Sequence, residues 1–236
     1  DLLSPEQVGK MAAERAVQRL GAQRLKTTAC PVLFDSTVAG GLIGSVVGAV
    51  SGAALYRKNS FLLDSLGTQI LPAWVNIQEF AHLPKGAASA PFDNEGVATK
   101  DRDWIKAGIL QGYFLGSYSA RKLGMRTTGH AGGAHNLAVS STGQNLAELL
   151  RLMGTGLWVT HLMGQGVNAL TGDYSRGASG FWVEGGVIQY PVEEITIAGN
   201  LKEMLMQIVA IGTDYQPFSS KKMGSVLIEN MTVAGV

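Results

Sequence analysis

From Ser36 to Tyr56 the chain carries no charged residue, and Asp35 and Arg57–Lys58 bracket the stretch. Gly40, Gly44, Gly48 and Gly52 recur there at every fourth position, with Gly41 as an extra. The residues between them are mostly Leu42, Ile43, Val46, Val47, Ala49, Val50, Ala53, Ala54 and Leu55. Each interior glycine costs a helix ~1 kcal/mol against alanine, so packing has to compensate. Residues four apart share one helix face, and the glycines form a strip without side chains. The pattern predicts one helix buried at the middle of the molecule, its bare strip pressed against another element. On that reading Gly48→Ala lowers the melting temperature and Gly48→Leu gives insoluble protein. A membrane span would need ~20 apolar residues. The core from Val38 to Leu55 is shorter, contains Ser45 and Ser51, and lacks aromatic anchors on its entry side. A phosphate-binding loop would need GxxxxGK[ST], which is absent.

The 236 residues suffice for one large domain or two small ones. Hydrophobic content of 46% against 16% charged provides for a sizeable core, and a net charge of +1 gives no electrostatic case for nucleic acid. The single cysteine, Cys30, excludes an intramolecular disulfide and fits a reducing compartment. No signal peptide is recognisable. The chain opens on Asp1 directly before a helix, and we expect it to be part of something longer.

Ser4-Pro5-Glu6-Gln7 signals a helix start by capping box, with Val8, Met11, Ala12, Ala16 and Leu20 as its apolar face and Gly21 as its end. Cys30 to Phe34 reads as a buried strand leading into the glycine helix, with Cys30 as a small core residue. Asp93–Gly96 is a turn. Trp104–Lys106 and Ile109–Gln111 flank Ala107-Gly108 as a hairpin. Ser117–Leu123 is a short helix stopped by Gly124. Asn145-Leu146-Ala147-Glu148 is a second capping box, opening a helix through Met153. Leu157–Met163 and Val167–Thr171 read as strands. Phe181–Glu184 and Val187–Tyr190 flank Gly185-Gly186 as a hairpin. Asn200 caps a third helix, and Val226–Ile228 and Met231–Val233 end the chain as strands. Hairpins outnumber crossovers, so the fold class is α+β, with mixed, largely antiparallel sheets packed around the buried glycine-rich helix.

The four histidines are His82, His130, His135 and His161. His130 and His135 sit in the glycine-rich segment Gly129-His130-Ala131-Gly132-Gly133-Ala134-His135-Asn136. Two ligands without a neighbouring Cys, Asp or Glu make a poor zinc site, although Asp173 or His161 could join them in space. Extended peptides are commonly held by adding a strand to a sheet edge. Glycines suit such an approach, so Gly129 to Asn136 is a candidate peptide contact. Gly172–Gly177 reads as a turn fixed by Asp173 and Ser175. The other reading is a cleft loop in which Arg176 meets a carboxylate.

Thr171-Gly-Asp-Tyr-Ser-Arg-Gly-Ala-Ser-Gly-Phe-Trp-Val-Glu and Ile188-Gln-Tyr-Pro-Val-Glu-Glu-Ile-Thr-Ile-Ala-Gly-Asn-Leu-Lys carry a resemblance. So do Arg57-Lys-Asn-Ser-Phe-Leu-Leu-Asp-Ser-Leu-Gly, Ser119-Ala-Arg-Lys-Leu-Gly and Thr128-Gly-His-Ala-Gly-Gly. They resemble the TldD/PmbA family of metallopeptidase subunits, also called the modulator of DNA gyrase family, on its PmbA (TldE) branch. The similarity spans nearly the whole of residues 1–236 as a C-terminal domain, with residues 1–29 as leading helix and connection. It implies a heterodimer with a TldD-like peptidase subunit, acting on unfolded or extended peptides, in the maturation of a peptide antibiotic and the turnover of an antitoxin, in the cytoplasm.

In TldD the catalytic helix carries HExxxH, and the resemblance sets that motif on Gly44, Ser45 and Ala49. Both histidine ligands and the glutamate base are thereby lost. A further cysteine ligand, placed after a Gly-x-Asp stretch, has no counterpart after Gly212-Thr213-Asp214. The resemblance therefore implies no catalytic residue and no metal in this chain, with zinc held by the partner subunit. Gly129, His130, Gly132, Gly133, His135, Asn136, Asp173 and Arg176 remain as candidate peptide contacts. Two other readings stay open. One is a stand-alone peptidase built on His130, His135 and Asp173; the other is a homo-oligomeric peptide-binding module, including a homodimer in isolation.

Overall fold

A computed structural model describes residues 3–235. The elements in chain order are α1 (Pro5–Val17), β1 (Thr28–Phe34), α2 (Ser36–Ala49), α3 (Gly52–Tyr56), β2 (Ile77–Phe80), β3 (Arg102–Lys106), β4 (Ile109–Leu110), α4 (Ser117–Lys122) and β5 (Asn136–Val139). There follow α5 (Leu146–Met153), β6 (Gly156–Met163), β7 (Asp173–Glu184), β8 (Val187–Asn200), α6 (Leu201–Met206), β9 (Ile208–Ile211), β10 (Lys221–Lys222) and β11 (Val226–Ala234). The fold is α+β with two sheets.

The larger sheet runs β1-β6-β7-β8-β11-β9, and β1 also pairs with β11. The circuit β1-β6-β7-β8-β11-β1 is therefore closed, which leaves few exposed edges. Only β1–β6 is parallel in it. Alternation along β1 divides its side chains: Val32 and Phe34 enter the main core, and Leu33 joins a second cluster with Leu149, Leu150 and Met153 of α5. The smaller sheet runs β10-β5-β2-β3-β4.

Several local signals have the expected outcome. Ser4 and Gln7 form a reciprocal capping box on α1, and Asn145 and Glu148 form another on α5. Ala107 (φ 50°) and Gly108 (φ 74°) take the left-handed geometry a two-residue hairpin needs. Gly185 and Gly186 do the same between β7 and β8.

Other expectations are corrected. Val167–Thr171 is not a strand; only Val167 makes a single bridge, to Tyr174. Gly172–Gly177 is not a turn, because β7 begins at Asp173 and extends through the segment. The two strands expected at the end are one, β11. The apolar face of α1 buries no residue: Val8 is 52% and Met11 39% exposed.

The largest correction concerns the glycine stretch. It forms two helices, interrupted at Val50–Ser51, where Ser51 accepts from Ala54 N–H and starts α3. The face of α2 that is buried carries Ser36, Ala39, Leu42, Ile43, Val46 and Ala49. Each of the large ones contributes roughly 1.5–3 kcal/mol by leaving water. The glycines point the other way. A Cβ at Gly41 or Gly48 would meet nothing within 4 Å, and at Gly40 and Gly44 only the Lys221 side chain, at 3.9 and 3.8 Å. Gly52 alone is closely packed, against Ser119 and Leu115. The helix is central to the core through its apolar face, and its bare strip is not the packed side. Among the described residues no helix is long and apolar enough to cross a membrane.

Candidate functional site

The sequence Ile77-Gln78-Glu79-Phe80 alternates as a strand should, but its inward positions include an acid: Glu79 is fully buried. Register places it opposite Arg102 of β3 on one side and Leu137 of β5 on the other. Arg102 Nε donates to Glu79 Oε2 at 2.6 Å. Its Nη1 donates to Tyr113 O at 3.2 Å, and the guanidinium lies 4.8 Å from the centre of the Phe114 ring. The loop between Gly129 and β5 then folds two histidines onto the same carboxylate.

His130 Nε2 is 3.0 Å from both Glu79 oxygens, and His135 Nδ1 is 3.1 Å from Oε1. The backbone N–H of His135 donates to Oε1 at 2.8 Å. Burial alone would raise the pKa of Glu79. The His130 hydrogen bond, the charges of Arg102 and His130, and the His135 N–H outweigh it and pull the carboxyl down to about 2. An ionised carboxylate only accepts, so His130 Nε2 and His135 Nδ1 are the protonated ring nitrogens. His130 Nδ1 in turn lies 2.9 Å from Thr128 Oγ1.

The loop carrying the histidines is shaped by backbone that only glycine adopts readily. Gly132 has φ 120° and Gly133 φ 114°, and a Cβ at Gly132 would press on the Asn94 side chain. Asp93 anchors the loop, accepting from Ala131 N–H at 2.9 Å and from the N–H groups of Glu95 and Val97. Gly129–His135 is thus a folded-in turn, and the sheet is entered only at Asn136, where β5 is already paired with β2 and β10.

The structure brings together His130, His135 and, beside them, Asn136. The Asn136 side chain donates to Phe80 O and accepts from Ala88 N–H. Asp173 and Arg176 lie on β7 of the other sheet. Asp173 is bonded to Thr171 and Asn200, which lower its pKa. The third member of the histidine cluster is Glu79, not Asp173, and the sequence reasoning missed it along with Arg102. The available signal was the strand-like alternation of 77–80. His82 contacts Thr99, and His161 lines a groove between α1 and the Trp158–Phe181 stack.

Glu79, His130 and His135 offer one carboxylate oxygen and two imidazole nitrogens within 4.8 Å of one another, a spacing that a divalent metal would accept. The two histidines, a poor zinc site by their sequence neighbours alone, thus gain a third group in space, and it is Glu79 and not Asp173 or His161. The carboxylate is nevertheless already saturated by four N–H donors, and Arg102 supplies the positive charge a metal would bring. A second cation beside it would be buried with too little negative charge to balance it. The arrangement acts as a buried ion cluster that fixes the loop. Positions Gly44, Ser45 and Ala49 on α2 supply no ligand set either. Ser45 Oγ donates within the helix to Gly41 O at 3.1 Å, Ala49 is buried, and the stem of Lys221 lies over Gly44. A zinc ion, as the resemblance implies for the partner subunit, does not fit the residues present at these three positions. Burial also pushes the Cys30 thiol up to about 11, so it is a protonated core residue at neutral pH.

The PmbA/TldA metallopeptidase C-terminal domain family matches residues 27–235. Metalloprotease PmbA of Escherichia coli O157:H7 is 57% identical over 235 residues, covering 100% of this chain and 52% of the relative. A homologue in Haemophilus influenzae is 55% identical over 236 residues, covering 99% of the chain and 52% of the relative. The chain spans about half the length of these relatives. A solved structure from Bacteroides thetaiotaomicron, described as a modulator of DNA gyrase, superposes with a TM-score of 0.90 at 32% identity, covering 97% of this chain and 52% of that one. TldE from Thermococcus kodakarensis shares the fold, with a TM-score of 0.82 at 22% identity over 98% of this chain and 55% of that one.

Proposed function

The chain belongs to the PmbA/TldD metallopeptidase family, and from that premise we propose that it is a non-catalytic, PmbA/TldE-type half of a zinc peptidase. The observation that carries this reading is the donor set of α2. Hydrolysis by a metallopeptidase needs three protein ligands and an open position where bound water is activated. Gly44 and Ala49 have no donor atom, and Ser45 is committed to the helix backbone. The chain's own residues then serve the active subunit by completing its substrate chamber and stabilising it. That subunit is TldD-like and holds the zinc. The substrates are unfolded or extended peptides, with peptide-antibiotic maturation and antitoxin turnover as the expected settings, in the cytoplasm.

A peptidase assay of this chain with and without a TldD-like subunit tests the reading. The expected result is no turnover alone, turnover when the two are combined, and no tightly bound zinc in this chain. About one zinc per purified chain, or hydrolysis by the chain alone, would replace it with a stand-alone peptidase. The convergence of Glu79, His130 and His135 favours that second reading, and Arg102 on the same carboxylate counts against it.

A further inference from the structure

A cavity of about 330 Å³ opens beside the ion cluster, between the end of α2, α3, α4 and the loop at His130. Its floor is Phe114, 3% exposed and edge-on to the His130 ring at 5.0 Å. Its mouth is a corner formed by Tyr56 and Tyr118, whose rings meet at 82° with centres 5.7 Å apart. Tyr118 is left 58% exposed. Small residues make up much of the remaining wall, the exposed Ala53 on one side and Ala131 and Gly133 on the other, so a chain can approach closely there. No imidazole nitrogen is free to act there, because His130 is bonded at both. The cavity is a place to hold something, not to transform it.

The rim tells what kind of occupant. Arg57 sits 5.4 Å from the Tyr56 ring and Lys122 5.7 Å from the Tyr118 ring. Neither forms an ion pair among the described residues. The one acid in the lining, Glu95, is committed, accepting from Ser117 N–H at the start of α4 at 2.7 Å. The cavity thus has an apolar aromatic floor and one acid, Glu95, in its lining, while Arg57 and Lys122 stand outside the lining beside its two tyrosines, without an ion-pair partner, Arg57 Nε donating to the Tyr56 hydroxyl at 3.0 Å. Nucleic acid is a poor match for two cations on a chain of net charge +1.

We propose that this cavity is a side-chain pocket for an extended peptide, taking one large apolar or aromatic residue flanked by an acidic one. This rests on the reading that the chain handles peptides, and adds the subsite and its preference. Gly41 and Gly48, exposed on α2, lead along the helix to the pocket's edge at Ser51–Gly52 and leave room for the peptide backbone.

The probe is a labelled glycine peptide bearing one phenylalanine flanked by aspartates, followed by fluorescence anisotropy on the whole chain. Ala53 is exposed on α3, so Ala53→Trp fills the pocket from the solvent side. It should weaken binding by about tenfold or more, as loss of a central aromatic anchor does. Replacing the peptide's phenylalanine by alanine should do the same to the unaltered chain. Arg57→Glu with Lys122→Glu should reverse the preference towards lysine-flanked peptides. Tyr118→Ser, at an exposed position, gives a second route should Ala53→Trp misfold, and unchanged melting identifies a folded variant. Equal binding by folded Ala53→Trp or Tyr118→Ser, or equal binding of the phenylalanine and alanine peptides, overturns the pocket. Turnover by the combined subunits decides the peptidase-subunit reading separately: turnover with an indifferent pocket removes the pocket alone, and absence of both peptide binding and turnover removes the two together.

Discussion

Gly41 and Gly52 occupy the same stretch and should respond to alanine with opposite signs. Gly41 lies in the middle of α2, where a Cβ would meet nothing within 4 Å. The substitution adds no contact and removes none. What remains is the helix propensity difference, worth ~0.8–1.0 kcal/mol, much of it from the smaller freedom of the unfolded chain. For a chain of this size that corresponds to a rise in Tm of about 2–4 °C. Gly48, one residue before the end of α2, should follow with a smaller rise, the reverse of what the glycine spacing alone suggests. At Gly52 the added Cβ would collide with the Ser119 side chain and crowd Leu115. Overpacking of that kind costs ~1–3 kcal/mol, so Gly52→Ala should lower Tm. Scanning calorimetry on the purified chain reads both. A Tm that falls as far for Gly41→Ala as for Gly52→Ala would refute the assignment of the strip as the open face.

Glu79 supplies an acid limb to stability. Its folded pKa of about 2 lies below the ordinary 4.5, so its contribution is fully present above about pH 4.5 and is lost as the pH falls towards 2. A denaturation series across that window should show the loss, and Glu79→Leu should flatten it. Removing one partner of a buried pair leaves the other uncompensated, so Glu79→Ala should cost about 3–5 kcal/mol in urea titrations. Chelation by EDTA should leave Tm unchanged. A clear fall on chelation, abolished in His130→Ala, would instead assign a metal to the cluster. Cys30 should react with a thiol reagent at neutral pH only as fast as the chain unfolds, because burial keeps its thiol protonated and covered; rapid modification of native protein would contradict its place in the core.

Local chemistry was the legible part of the fold. Ser4, Asn145 and Asn200 cap their helices because their side chains reach the free N–H groups of the first turn, a relation confined to a few residues. Ala107-Gly108 and Gly185-Gly186 set their hairpins just as locally, by taking the positive φ that a two-residue turn needs. What could not be read was anything decided across the chain. β7 takes in Asp173–Gly177 because β8 pairs with it from Glu184 back to Asp173, and that pairing overrides the turn-forming Asp, Ser and Gly within the segment.

The glycine strip and the ion cluster were misjudged for one shared reason. Spacing shows which residues share a face, and it does not show which face turns inward. On α2 the period of four also groups Ala39, Leu42, Ile43 and Val46 with their neighbours on the opposite side. Those side chains have apolar area to remove from water, whereas glycine has almost none, so the core claims them and the strip is left outside. The same ambiguity hid Glu79. Alternation put it inward in β2, but an inward acid is tolerable only if donors arrive from elsewhere. Arg102 arrives by strand register, and His130 and His135 by a loop that Gly132 and Gly133 allow to fold back. Each piece is visible in the sequence and only the assembled sheet brings them within 3.1 Å. The glycines of 129–133 are therefore explained by the ion cluster they close, and the same turn directs His130, Ala131 and Gly133 towards the cavity beside it.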